Sequence, residues 1–252
     1  MIGETGLVMR RRGSTELLDL AAVLLRRDAR RVLLGVLPAW ALAAASAAAA
    51  WWIDPWLGVL VGVFVGRLAQ LPTLLVVSDR AAGRPQPGSL RRTFSGWWAT
   101  VPTTLYYGIG LLFAALIPPL LVYVWGRMLF IPEVTAIERP ESGAAERVSA
   151  LAGAGTEEVA AARFWQVALE AWSIVSITSM GNLLVTDVLG LGEPFGSVWS
   201  GDASPFFILG SLVAQPMLSA IRFCFYLNVR TRREGIDAWF LLWATTQASR
   251  SP

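Results

Sequence analysis

Long apolar runs alternate along this chain with short polar or Gly- and Pro-rich breaks. The runs 32–52 and 56–77 each match the ~20 residues that an apolar helix needs to cross a hydrocarbon core, and they are predicted as the first two membrane spans. Trp51, Trp52 and Trp56 sit at the break between them, as indole rings do at a membrane interface. The next run is interrupted at Pro118 and Pro119. Two spans, 100–116 and 119–137, are the preferred reading, because the segments before and after both carry Arg and belong on the same side. One long kinked helix with a re-entrant tail is the alternative. A fifth span is placed at 171–189 and a sixth at 205–228.

The polar breaks carry amphipathic patterns of their own. In 14–31, Leu17, Leu20, Ala21 and Leu24 share one helical face, with Glu16 and Asp19 early and Arg26, Arg27, Arg30 and Arg31 late. That arrangement suits a helix lying on the cytosolic leaflet, or else an extension of the first span. Further amphipathic helices are predicted at 89–98, 144–163 and 236–248. The stretch 78–92, with Gly83, Pro85, Pro87 and Gly88, is a linker. The motifs GRLAQLP from Gly66, GRMLFIP from Gly126 and IRFCFYL from Ile221 put one Arg inside the second, fourth and sixth spans, although the third copy lacks the proline. The expected architecture is therefore an all-α polytopic integral membrane protein. It is a single membrane domain over 1–252, with six transmembrane helices as three tandem hairpins, each preceded by an amphipathic cytosolic helix.

Charge turns this pattern into a topology. All 21 cationic side chains are Arg, and none lies in 51–56, 117–119 or 190–204. By the positive-inside rule those three breaks face outward, and both termini face the cytosol. Charged residues make up 15% of the chain, against about 25% in an ordinary soluble domain, so lipid is the expected solvent for most of the surface. The Arg residues flank apolar runs and form no continuous basic face. That argues for anionic lipid as the counter-charge and against nucleic acid. Residues 1–31 show neither a signal-peptide nor a transit-peptide pattern, so the first span is expected to persist in the mature protein.

Candidate chemistry is sparse. With no His and no Lys, a Ser/His pair, a Schiff-base lysine, a phosphate-binding loop lysine and a His-ligated metal are all excluded. Cys224 is the single cysteine, and it excludes both an intrachain disulfide and a Cys-based zinc site. No catalytic residue, metal or cofactor is expected. The notable intramembrane polar residues are Arg67, Arg127, Glu133, Ser176, Asn182 and Arg222. Arg222 lies near enough to its helix end to snorkel, whereas Arg67 is mid-helix and is expected to face the bundle near Gln70, Glu133, Asn182 or Gln215. Glu133 pairs with Arg127 or with another partner. Ser173, Ser176, Thr178, Ser179, Gly181 and Asn182 serve either as glue between helices or as the wall of a polar cavity. In the tail, Arg230, Arg232 and Arg233 are expected to bind anionic lipid, with Trp239 and Trp243 on the membrane surface or against a partner.

The tail YLNVRTRREGID, Tyr226 to Asp237, resembles the Y-x-D-x-R-x-R-x-E-G-x-D signature that ends the last span in a group of bacterial multi-pass proteins. That group is related to the membrane domain attached to some glycerophosphodiester phosphodiesterases. The segment from Arg127 to Gly155 is similar to the group's Pro, acidic residue and cytosolic helix pattern, with Asn228 in place of the usual Asp and Glu146, Arg147 and Val148 in place of an Arg and a Ser-Trp pair. The resemblance implies a six-span helical fold in a bacterial inner membrane, accessory to other machinery. The expected role is a non-enzymatic subunit that assembles with other membrane or envelope proteins. The alternative is a small transporter or lipid-handling protein with a polar intramembrane cavity.

Overall fold

The structure, a computed structural model, describes residues 12–81, 90–114, 116–138, 140, 143–192 and 201–234. Among these the fold is all-helical, 88% helix with no strand. Helix α1 spans Ser14–Arg27, α2 Ala29–Trp51 and α3 Pro55–Ala81, the last with a 3-10 turn at Arg67–Ala69. Helix α4 spans Leu90–Ala114 and α5 Pro118–Arg127; a short α6, Ile131–Glu133, then runs into a π-helical turn, Val134–Glu138. Helix α7 is Ala144–Ala154. Helix α8 covers Thr156–Val188, its last five residues π-wound, and α9 is Pro205–Glu234. Four of these are long and apolar enough to cross a membrane: Ala29–Trp51, Pro55–Ala81, Thr156–Val188 and Pro205–Arg232.

The expected spans 100–116 and 119–137 are not among the four, and their composition explains why. Helix α4 carries Trp97, Trp98, Thr100, Pro102, Thr103, Thr104, Tyr106 and Tyr107 through its middle. The chain from 118 to 138 is broken: α5 has only 10 residues, about 15 Å of helix, before a turn at 128–130. The chain folds back on itself, as both the two-span reading and a kinked helix with a re-entrant tail require. Thr100 Oγ1 lies 3.0 Å from Thr135 Oγ1, and a Cβ on Gly110 would sit 3.9 Å from Val124 Cγ1, so the two strands of helix run antiparallel. Residues 90–98 of the expected amphipathic segment 89–98 are the start of α4, and 144–163 is divided between α7 and the start of α8. The segment 236–248 lies outside the described residues.

The chain divides into two compact units: Met1–Arg27, Leu74–Arg163 and Ala220–Pro252 in one, Asp28–Thr73 and Phe164–Ser219 in the other. In the second unit α2 turns into α3 through Asp54, whose carboxylate accepts the Leu57 N–H at 2.8 Å, with Pro55 preset for the first helical turn. Small residues then let the helices close up. A Cβ on Gly62 would lie 3.0 Å from Ala47 Cβ, and one on Gly66 would lie 2.5 Å from Leu212. Ala43, Ala47, Val59, Ile208 and Leu212 form the core where the three helices meet. Helices α8 and α9 touch backbone to backbone: a Cβ on Gly210 would lie 2.6 Å from Ile174 Cα, and Ser173 Oγ donates to the Gly210 carbonyl at 2.8 Å.

In the first unit, α1 buries Leu17, Ala21 and Leu24, the face expected for leaflet contact, against protein. Its start shares a cleft with Ala161 and Phe225, and the Arg12 N–H donates to Asn228 Oδ1 at 3.1 Å. Leu129, Phe130, Ile131 and Val134 are buried around the turn into the π segment.

These contacts give opposite signs for two Gly→Ala changes. Gly210→Ala pushes a methyl into the Ile174 backbone and should destabilise by about 1–3 kcal/mol. Gly110→Ala meets only an ordinary contact and should be neutral or stabilising, up to ~1 kcal/mol from helix propensity. Thermal unfolding of the two variants in detergent measures both.

Candidate functional site

Arg222, Tyr226 and Arg230 recur every four residues, so one face of α9 presents a guanidinium, a phenol and a second guanidinium in a row. Glu133 and Glu138 are five apart, a spacing that on an α-helix would point them well away from each other. The π-winding of Val134–Glu138, with its i→i+5 hydrogen bonds, swings Glu138 back toward the side of Glu133. Both carboxylates therefore meet the α9 row, in the same chain direction.

Arg222 Nε donates to Glu133 Oε1 at 2.6 Å, with side chains 7% and 0% exposed. The other carboxylate oxygen, Glu133 Oε2, is buried and accepts no hydrogen bond among the described residues. One step along, Tyr226 Oη donates to Glu138 Oε1 at 2.5 Å and Arg230 Nη1 donates to Tyr226 Oη at 3.0 Å. Arg147 Nε, from α7, donates to Glu138 Oε2 at 2.8 Å. Arg232 pairs with Glu158 of α8. Phe130 packs edge-on to Tyr226, with centroids 5.9 Å apart. Three carboxylates from two stretches of the first unit are thus gathered onto the last helix.

The second unit has a neutral counterpart. Gln70 Nε2 donates to Gln215 Oε1 at 2.5 Å, Gln215 Nε2 donates to the Ser211 carbonyl at 3.0 Å, and Ser219 Oγ donates to the Gln70 carbonyl at 2.7 Å. Ser211 Oγ reaches Glu170 Oε1 at 3.0 Å. Gln215, Ser211 and Ser219 are buried. In apolar surroundings each of these amides and hydroxyls is costly unless paired, so the network ties α3, α8 and α9 together.

The residues singled out in the sequence do not converge. Arg222 does not snorkel; it is buried on Glu133, and Glu133 pairs with it and not with Arg127. The Arg127 guanidinium stacks over Tyr123, 4.5 Å from the ring centroid. Arg67 does not face the bundle: its side chain is exposed, and it makes no hydrogen bond or ion pair among the described residues. Gln215 takes Gln70 as its partner and leaves Arg67 aside. Ser176 and Asn182 are half-buried on α8, and the Asn182 carbonyl accepts Thr186 Oγ1 at 2.7 Å. Arg230 and Arg232, expected on lipid, are engaged by Glu138 and Glu158. The Arg233 side chain, Trp239 and Trp243 lie outside the described residues.

Among the described residues, cavities accompany this framework in each unit. A cleft of about 800 Å³ in the second unit is lined by Ala44, Ala48, Trp51, Pro205 and Leu209 among others, with Asp202 at its polar edge. A smaller one, about 360 Å³, lies in the first unit between Arg12, Leu17, Glu157 and Phe225. Neither includes Arg67, Arg127, Ser176 or Asn182. The sequence missed Glu138, Tyr226, Glu158, Glu170 and Ser211 as members of a site. The four-residue spacing of Arg222, Tyr226 and Arg230 was the available signal.

No family model matches the chain, and comparison with curated proteins and with solved structures finds no match either. The resemblance to the membrane domain of glycerophosphodiester phosphodiesterases stands on the residues quoted for it alone.

Removing one member of a buried pair strands the other, at about 3–5 kcal/mol, whereas replacing both with apolar side chains is often neutral. Arg222→Met should therefore destabilise strongly, and adding Glu133→Met should recover most of the loss. A double-mutant cycle by unfolding in detergent reads this; equal and additive losses would show that the pair carries no coupling.

Proposed function

We propose that this chain is a non-enzymatic, multi-pass subunit of a bacterial inner membrane. In this reading six spans form three tandem hairpins, both termini are cytosolic, and the chain assembles with other membrane or envelope proteins. The observation that carries the reading is how the ionisable groups are used. Glu133, Glu138 and Glu158 are each bound by Arg, so these three carboxylates hold helices together. The large cleft is walled by Ala, Trp, Pro and Leu and offers packing surface, with no convergent polar set. The antiparallel fold-back between α4 and α5 supports counting 90–138 as an outward and a returning pass. Their Trp, Thr and Tyr content supports placing them beside other helices, away from open lipid.

The test is isolation from native membranes in mild detergent. The subunit reading predicts one or more partner proteins in constant stoichiometry through two orthogonal purification steps. A lone monomer carrying full biological activity would overturn it.

The apolar cleft favours one second reading, a protein that holds a lipid acyl chain. Ala48 is exposed on the cleft wall, so Ala48→Trp fills the space without touching the core. If the cleft holds lipid specifically, native mass spectrometry shows a retained lipid in the wild type that Ala48→Trp releases. Equal lipid retention by the two proteins removes this reading.

A further inference from the structure

On α3, Leu57, Leu60 and Phe64 are 39%, 65% and 74% exposed, and exposed Arg67 follows on the same face at three- and four-residue spacing. The opposite face, Gly58, Gly62 and Gly66, is already packed within its unit. Trp56 marks the interface at the start of the helix. Arg67, eleven residues further, lies about 16 Å along it, near the middle of a hydrocarbon core about 30 Å thick. A guanidinium exposed to lipid at that depth is costly and is expected to find a carboxylate or a water-filled cavity.

No carboxylate among the described residues meets Arg67. Among the described residues Arg67 has no hydrogen bond or ion pair, and neither of the two cavities described above includes it. Among the described residues of a second copy no acid in a span matches: Glu133 is fully buried on Arg222, Glu170 accepts Ser211, Asp54 caps α3, and exposed Asp187 sits one residue from the end of α8. Lipid phosphates lie at the interfaces, half a bilayer away.

We propose that the face formed by Leu57, Leu60, Phe64 and Arg67 docks a transmembrane helix of a different protein, and that this helix carries an Asp or Glu in its apolar stretch at the depth of Arg67. The inference rests on the subunit reading and names the partner's chemistry. The three apolar side chains supply contact area, while the ion pair fixes depth and register and excludes helices without the acid.

The experiment places a photo-reactive benzoylphenylalanine at position 64 of the full chain in native membranes, and identifies cross-linked peptides by mass spectrometry. The expected product is an apolar segment of another membrane protein containing Asp or Glu. Arg67→Leu should lower its yield by at least about tenfold, as loss of a buried ion-pair partner does, while Arg67→Lys keeps most of it. Arg67→Leu removes an unpaired charge, so its detergent melting temperature should be no lower than that of the wild type. Cross-links only to lipid, only to a second copy of this chain, or in a yield indifferent to Arg67→Leu would overturn the proposal. If stoichiometric partners persist in Arg67→Leu and position 64 captures none of them, the docking face fails and the subunit reading survives. If no partner is found in any form, both fail.

Discussion

The contact between Glu133 and Arg222 constrains everything around it. A carboxylate with no exposure and a guanidinium almost as buried hold together only if each is presented to the other, because either alone is very costly in a dry interior. That requirement dictates the path of the chain over 89 residues. Pro118 and Pro119 start a new helix after the fold-back from α4, a turn at 128–130 ends it, and Glu133 arrives beside α9 at the level of Arg222. The π-wound turn follows at once and brings Glu138 to Tyr226 and Arg230. Removing the helical excess residue there would aim Glu138 away from α9 and leave Arg230 and Arg147 without their shared acid.

Polar pairing and close packing divide the work between the two units. In the unit built from α2, the first two-thirds of α3, and parts of α8 and α9, glycine and alanine bring backbones together, and a glutamine–serine network satisfies the few polar groups enclosed. In the other unit the chain is richer in polar side chains, and charge pairs supply the order. The apolar cleft beside Trp51 and the exposed side of α3 remain as surface not spent on the fold, and assembly has that surface to work with.

Four long helices were legible in the sequence because their apolar runs are long, continuous and bounded by Trp, Asp or Arg. The pair at 100–137 was harder for a physical reason: Thr, Tyr and Pro lower its hydropathy, and α5 is too short to stand out as a span. The face of α1 was read as Leu17, Leu20, Ala21 and Leu24, and all of these but Leu20 are buried; its environment was not read, since a helical stripe looks the same whether lipid or protein covers it. Partners were the least legible. The Glu133–Arg222 and Gln70–Gln215 contacts join residues far apart in the chain, and spacing within one helix carries no information about which distant residue faces it. Depth alone suggested that Arg67 sits inside and Arg222 near the edge; burial reverses the two.

In the proposed topology the chain passes out and back between 90 and 138, so that 133–138 runs in the same direction as the last helix it meets. Single cysteines at Ile53, Ile117 and Gly143, introduced with Cys224 changed to Ser, can be labelled in intact cells by a membrane-impermeant maleimide. Labelling is expected at 53 and 117, with protection of 143 until the membrane is opened. Protection of 117 together with 143, while 53 labels, would mean that 90–138 never crosses and would rule out the two passes.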